Sequence, residues 1–375
     1  MSHQPAALTQ LSHYLLDTLW QLAQCFTCFP RSPRIAIRGQ KYTILRLLGE
    51  GGFSYVYLVS TPEDPGTYYA LKKIRCSLGE ESLSRAQKEV EAYRLFDHPN
   101  IIPVVDWEVD RDKETVYILL PYYRRGNLQD MINANLVNGA KVPERRLLGL
   151  FLGVCQALKE LHQYNPKKKK RARPSSDAEE DEGGLAKPLM EGEAEDAPVK
   201  SYAHRDIKPS NIMISDSGTF PVLMDMGSLA RSPVTPSNRS LALQLQDEAA
   251  ELCTMPYRAP ELFDVKTGVP VTTAVDIWSL GCTLYACLVG KSPFEARSEE
   301  SGGSLSLCVL NGDWRFPDEG TSGKKRASKS EADRGISEGV KDIVRACLRV
   351  EPERRPNVDE LADLIQGVMD QLGED

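Results

Sequence analysis

No stretch of this chain is long and apolar enough to span a membrane, and no cleavable leader pattern is evident at its start. Positive charge is also in short supply. Against 53 Asp and Glu stand 46 Lys and Arg, a formal charge of −7 with a pI near 5.5, which argues against a broad nucleic-acid-binding surface. The nine cysteines are scattered and odd in number, as expected of reduced thiols in a cytoplasmic protein. Cys25-x-x-Cys28 has no second pair nearby, so a zinc site is a poor reading, and no internal repeat is visible. What is present is a chain of 375 residues, 41% hydrophobic, longer than one typical domain and ample for a large core.

The most informative stretch is Tyr202-Ala203-His204-Arg205-Asp206-Ile207-Lys208-Pro209-Ser210-Asn211, followed by Asp225-Met226-Gly227 and later by Ala259-Pro260-Glu261. An enzyme that moves a phosphoryl group needs a carboxylate to orient the attacking hydroxyl, oxygen ligands for magnesium and fixed positive charge against the triphosphate. All three strings in this order resemble the active centre of a protein kinase. Asp206 is then the catalytic base for a Ser or Thr hydroxyl, and Lys208 neutralises the γ-phosphate. Lysine there is the residue type of serine/threonine kinases, since tyrosine kinases usually carry Ala-Ala-Arg or a close variant. Asn211 and Asp225 supply hard oxygens suited to Mg²⁺, with Mn²⁺ a substitute. His204 reads as structural, because the chemistry already has its carboxylate.

Upstream, Gly49-Glu50-Gly51-Gly52-Phe53-Ser54-Tyr55-Val56 lies between two strand-like runs, Tyr42 to Leu48 and Tyr55 to Ser60. Glycines at 49 and 51 let backbone N–H groups approach phosphates with no Cβ in the way. Ser54 replaces the third glycine of the usual pattern, which predicts a stiffer loop. The next strand, Tyr69-Ala70-Leu71-Lys72, ends in the lysine expected on the α- and β-phosphates. A helix from Leu83 to Phe96 offers Glu89 as its partner, while Glu91 reads as a solvated surface charge. Val116 to Leu120 is a near-continuous apolar strand leading into Pro121-Tyr122-Tyr123, the expected hinge. The candidate nucleotide contacts are therefore Gly49, Glu50, Gly51, Gly52, Phe53, Ser54 and Val56, then Ala70 and Lys72, then Leu120 as gatekeeper and the main chain of Tyr122 and Tyr123. Asp276, the one acid in an apolar helix, is expected to hold the catalytic-loop backbone. Arg355 is placed to pair with Glu261.

The fold class that follows is α+β, a bilobal protein-kinase fold with a small, mainly β lobe over 41–121 and a large, mainly α lobe over 122–371. An amphipathic, cysteine-containing segment, 1–40, precedes it. Two low-complexity insertions interrupt the larger lobe. The first, 166–199, opens with Lys167 to Arg173 as KKKKRAR and turns acidic from Asp177 to Asp196; with few large apolar residues it is expected to be disordered. The basic run reads as half of a self-neutralising loop, with a nuclear-import signal or an anionic-lipid contact as rivals. The second insertion, 320–335, is shorter.

Finer motifs narrow the family. GEGGFSYVYLV from Gly49, LLPYYRRGNL from Leu119, YAHRDIKPSN from Tyr202, PVLMDMGS from Pro221 and CTMPYRAPELF from Cys253 together resemble the Numb-associated kinase group. Within it they are most similar to the acylated branch of serine/threonine kinase sixteen and its yeast vacuolar relative. That resemblance covers about 41–365 and implies a serine/threonine kinase using ATP and magnesium, able to phosphorylate itself, attached peripherally to Golgi or vacuolar membranes from the cytoplasmic side. It also implies an extra helix in the activation segment, which Leu241 to Leu252 permits, having no Gly or Pro. Such a helix could order the segment without phosphorylation, although Arg205 is the arginine that often clamps a phosphate there. Met226 departs from the usual Phe. Ser2 stands where N-myristoylation requires glycine, so that modification is excluded. A membrane-tethered pseudokinase scaffold is the alternative, but it would normally lack Lys72, Asp206 or Asp225.

At the amino end, Leu8, Leu11, Leu15, Leu19, Leu22 and Phe26 share one helical face. That face can pack on the core or lie in a membrane interface. Cys25 and Cys28 follow it among Phe26, Phe29, Arg31 and Arg34, a setting that suits S-palmitoylation and an endomembrane surface as partner. The other partners expected are protein substrates, with no nucleic acid, and the oligomeric state is open.

Overall fold

A computed structural model describes residues 33–77, 79–165, 200–319 and 335–373. The expected amphipathic segment up to residue 32, the 166–199 insertion and all but the last residue of 320–335 lie outside the described residues, as do Cys25 and Cys28. The small lobe is a six-stranded antiparallel sheet in the order β1-β2-β3-β4-β6-β5. Its strands are β1 (Arg34–Ile37), β2 (Gln40–Glu50), β3 (Ser54–Ser60), β4 (Tyr68–Arg75), β5 (Asp106–Asp110) and β6 (Thr115–Pro121). The sheet thus begins ahead of residue 41. Arg38 and Gly39 turn the first hairpin with φ of 47° and 86°, the positive values that a two-residue hairpin turn demands.

The continuous apolar run of β6 is explained by burial on both faces. Val116, Ile118 and Leu120 join the core shared with the helical lobe, whereas Tyr117 and Leu119 pack with Ile37, Tyr42, Val59 and Leu71 under the other face. Helix α1 (Glu80–Leu95) lies against the first of these faces and buries Leu83, Ala86, Val90 and Tyr93.

The large lobe is built on α2 (Leu128–Asn138), α3 (Glu144–His162), α4 (Arg239–Leu252), α5 (Ala274–Val289), α6 (Pro293–Ser301), α7 (Leu305–Asn311), α8 (Glu338–Cys347) and α9 (Val358–Gln371). Capping residues set several starts: Asn127, Ser292 and Asn357 each close a reciprocal capping box. α5 is apolar on nearly every side and sits at the centre, buried from Val275 to Ala286. Its Gly281 admits α8 so closely that an added Cβ would stand 2.5 Å from Cys347 Cβ. Two small ribbons, β7 (Ser201–Ala203) with β10 (Ala230–Ser232) and β8 (Ile212–Ile214) with β9 (Pro221–Leu223), frame the segment that carries the key strings. Among the described residues no helix is long and apolar enough to cross a membrane.

The points where the chain enters and leaves 166–199 are paired. Lys200 N–H donates to the Tyr164 carbonyl at 3.0 Å, an isolated antiparallel bridge. Tyr164, Tyr202 and Phe96 meet edge to face behind it, with centroids 5.4–5.9 Å apart.

Candidate active site

Strand register gathers the expected nucleotide contacts on one face of the small lobe. Val56 pairs with Lys72 across β3 and β4, and Ala70 pairs with Leu120 across β4 and β6. Residues two apart on a strand share a face, so Val56, Ala70, Lys72 and Leu120 all line the side that carries α1. Leu120 is buried, while Tyr122 and Tyr123 follow β6 half-buried. The glycine loop crosses between β2 and β3, and Gly51 N–H donates to the Ser54 carbonyl at 2.8 Å. Gly52 and Phe53 are exposed at its tip, whereas Gly49 and Ser54 are half-buried at its ends and Glu50 is exposed.

Lys72 Nζ donates to Glu89 Oε1 at 2.6 Å and to Asp225 Oδ1 at 3.1 Å, so α1 and the Asp225 turn are both drawn to the middle of β4. Burial works against the ammonium charge, but the Asp225 and Glu89 carboxylates outweigh it and hold the Lys72 pKa well above its usual value. Lys72 is also the main reason that the Asp225 carboxyl is held down to about 2. The Glu89 carboxyl goes the other way, pushed up by burial despite Lys72. Glu91 departs from its expected solvated role: it is half-buried, with one carboxylate oxygen out of solvent.

Below the cleft, three side chains converge on Asp206. Thr254 donates its main-chain N–H (2.9 Å) and hydroxyl (2.7 Å) to Oδ1, Lys208 Nζ lies 2.8 Å from Oδ2, and Asn211 Nδ2 donates to Oδ2 at 3.0 Å. Lys208 also donates to the Thr254 hydroxyl at 2.6 Å. Thr254 was not singled out from sequence; the signal available was its place five residues before Ala259 in the CTMPYRAPELF string.

The loop itself is hung from Asp276, whose oxygens accept His204 N–H at 2.8 Å and Arg205 N–H at 2.7 Å. Burial alone would raise that carboxyl, yet His162, hydrogen-bonded at 2.9 Å, and the loop amides lower it. His204 is fully buried and its Nε2 meets the Met224 carbonyl at 3.0 Å, a structural role as expected. Arg355 grips Glu261 with two parallel bonds of 2.7 and 2.8 Å. The expected activation-segment helix forms as α4: Glu248 accepts from Arg205 Nη1 at 3.2 Å, and Glu251 pairs with Arg85 of α1.

The donor set suits a hard divalent cation. Asn211 turns its amide N–H₂ to Asp206, which leaves its Oδ1 for a metal, and Asp225 is ionised and 36% exposed at its side chain. Two oxygens of this kind, completed by phosphate oxygens and water, match the way magnesium is held in phosphoryl-transfer sites.

The protein kinase domain family matches residues 42–165 and 199–364, stepping over the first insertion. The chain is 36% identical to serine/threonine-protein kinase ENV7 of Saccharomyces cerevisiae, over 88% of this chain and 93% of that protein. It is 36% identical to serine/threonine-protein kinase ppk13 of Schizosaccharomyces pombe, over 88% and 91%. With human serine/threonine-protein kinase 16 it shares 33% identity, over 86% and 89%.

Proposed function

The chain belongs to the protein kinase domain family and is a serine/threonine protein kinase, and on that premise we propose that it passes the γ-phosphate of ATP to protein Ser and Thr residues, its own included, at the surface of Golgi, vacuolar or other secretory membranes. The observation that carries the chemical part is the Asp206 carboxylate, held by Thr254, Lys208 and Asn211.

Asp206 orients the substrate hydroxyl and accepts its proton as the oxygen attacks phosphorus. Lys208, already beside Asp206, balances charge on the transferred group. Lys72, fixed by Glu89, meets the α- and β-phosphates, and the backbone of the Gly49 to Ser54 loop closes over them. Leu120 bounds the adenine pocket, with the Tyr122 and Tyr123 main chain as its hydrogen-bonding edge. Asn211 and Asp225 would hold Mg²⁺, or Mn²⁺ in its place, which would neutralise phosphate charge when bound.

Membrane attachment rests on the family resemblance and on Cys25 and Cys28, which lie outside the described residues. One acyl chain holds only weakly, so two acylated cysteines beside an apolar helix face make a stable anchor. Hydroxylamine-dependent acyl exchange tests this: wild type is labelled, and Cys25→Ser with Cys28→Ser is unlabelled and moves to the cytosol with its solution activity intact. Equal membrane fractions for the two proteins would remove the anchor from the account.

A further inference from the structure

Helix α4 ends without the usual devices. Cys253 leaves it in extended backbone (φ −108°, ψ 129°), no glycine follows to close a left-handed cap, and the last turn holds no Lys, Arg or His. The final carbonyls of a helix have no partner within it and must find one elsewhere. Two of them find the same one. Arg258 Nη2 donates to the Cys253 carbonyl at 2.7 Å and to the Ala250 carbonyl at 3.2 Å.

Arg258 is itself closely held. It is buried, and its guanidinium lies over the Phe263 ring, 4.9 Å from the centroid. The single turn Met255–Tyr257 brings it back toward the helix, and that turn is fastened to α5 by Ser279 Oγ, which donates to the Tyr257 carbonyl at 2.7 Å.

The grip on Cys253 reaches beyond the helix, because the Cys253 carbonyl and the Thr254 N–H belong to one peptide unit. Such a unit is planar, so its C=O and N–H point opposite ways and turn together. Here the carbonyl end is bonded to Arg258 and the amide end to Asp206 Oδ1, at 2.9 Å. Turning the plane breaks both bonds at once. A cation on the carbonyl also polarises the amide and strengthens its donation to the carboxylate.

We propose that Arg258 is a positioning residue for Asp206: by holding the Cys253 carbonyl it fixes the peptide plane whose N–H orients the carboxylate. The role rests on the reading of Asp206 as the base for phosphoryl transfer.

The test compares the full chain with Arg258→Met, which keeps an unbranched stem and removes the donors. The Thr254 amide proton, followed by NMR without any turnover, should move upfield as its bond to the carboxylate loosens. It should also exchange on the order of tenfold faster, while the amides of Ala242 to Leu245 keep their protection. In the transfer assay kcat should fall on the order of tenfold with the KM for ATP unchanged, since Lys72 and Glu89 are untouched. Arg258→Lys keeps the charge without the fork. It should fall between wild type and Arg258→Met in both readings, and it carries the test alone if the methionine variant does not fold. An unchanged Thr254 amide, or an ATP KM that rises in step with the fall in kcat, would overturn the proposal. So would protection lost throughout α4, which would make Arg258 a packing residue of the helix. A wild-type protein without phosphotransfer would undo the functional reading, and the Thr254 amide would still decide this one.

Discussion

Thr254 places its main-chain N–H and its hydroxyl on the same oxygen of Asp206, at 2.9 and 2.7 Å, and at once receives Lys208 at 2.6 Å. The activation segment is thereby fastened to the base itself. Thr254→Ala should lower kcat on the order of thirtyfold by removing the hydroxyl's bonds to both Asp206 and Lys208. Thr254→Ser keeps the hydroxyl and should stay within about threefold. Steady-state kinetics with a peptide substrate separate the two, and equal losses would contradict the hydroxyl's role.

The Arg355–Glu261 pair makes a different kind of prediction, one of stability. The Arg355 side chain is fully buried, and breaking a buried pair from one side costs about 3 kcal/mol or more. Arg355→Ala should lower Tm by roughly 6 to 12 °C in calorimetry. Lysine cannot reproduce the fork, so Arg355→Lys should recover only part of the loss.

These two cases mark how far the sequence could be read. Glu89, Asp276, Arg355 and Glu261 were legible because each is a charge in an apolar or spaced setting that demands a partner, and Lys72 with Glu89 and Arg355 with Glu261 meet as expected. Thr254 was not, because its role lies in a hydroxyl whose partners, Asp206 and Lys208, come from a distant segment. β1 was missed because four residues, Arg34 to Ile37, carry too short an alternation to stand out beside the preceding apolar segment. Glu91 was misread because a helix face is defined by what packs on it, and periodicity gave no sight of its neighbours.

Asp225 should titrate far below an ordinary aspartate, with its midpoint near 2, because Lys72 favours its ionised form. A depressed carboxyl pKa stabilises the fold above the unfolded value of about 3.9, and that contribution is lost as pH falls through the folded value. Its negative charge is therefore in place across the neutral range, and no limb of the activity profile near pH 5 to 8 should arise from it. In Lys72→Met the carbon-detected NMR titration of Asp225 should move upward. A midpoint unchanged by that substitution would show that Lys72 is not the cause.

The bridge between Tyr164 and Lys200 bears on the 166–199 insertion. Since the chain ends at its base are already joined and backed by Phe96 and Tyr202, a short Gly-Ser linker can close the gap. The shortened protein should keep Tm within about 2 °C and its basal activity within about twofold. A large fall in either would mean that the insertion contributes to the catalytic lobe.

The most direct measurement is transfer of ³²P from γ-labelled ATP with magnesium to a generic protein substrate, followed by phosphoamino-acid analysis, for wild type and for Asp206→Asn of equal Tm. Wild type should yield phosphoserine and phosphothreonine, and Asp206→Asn should lose at least about a hundredfold of that rate. Undiminished transfer by a folded Asp206→Asn protein would contradict the account at its centre.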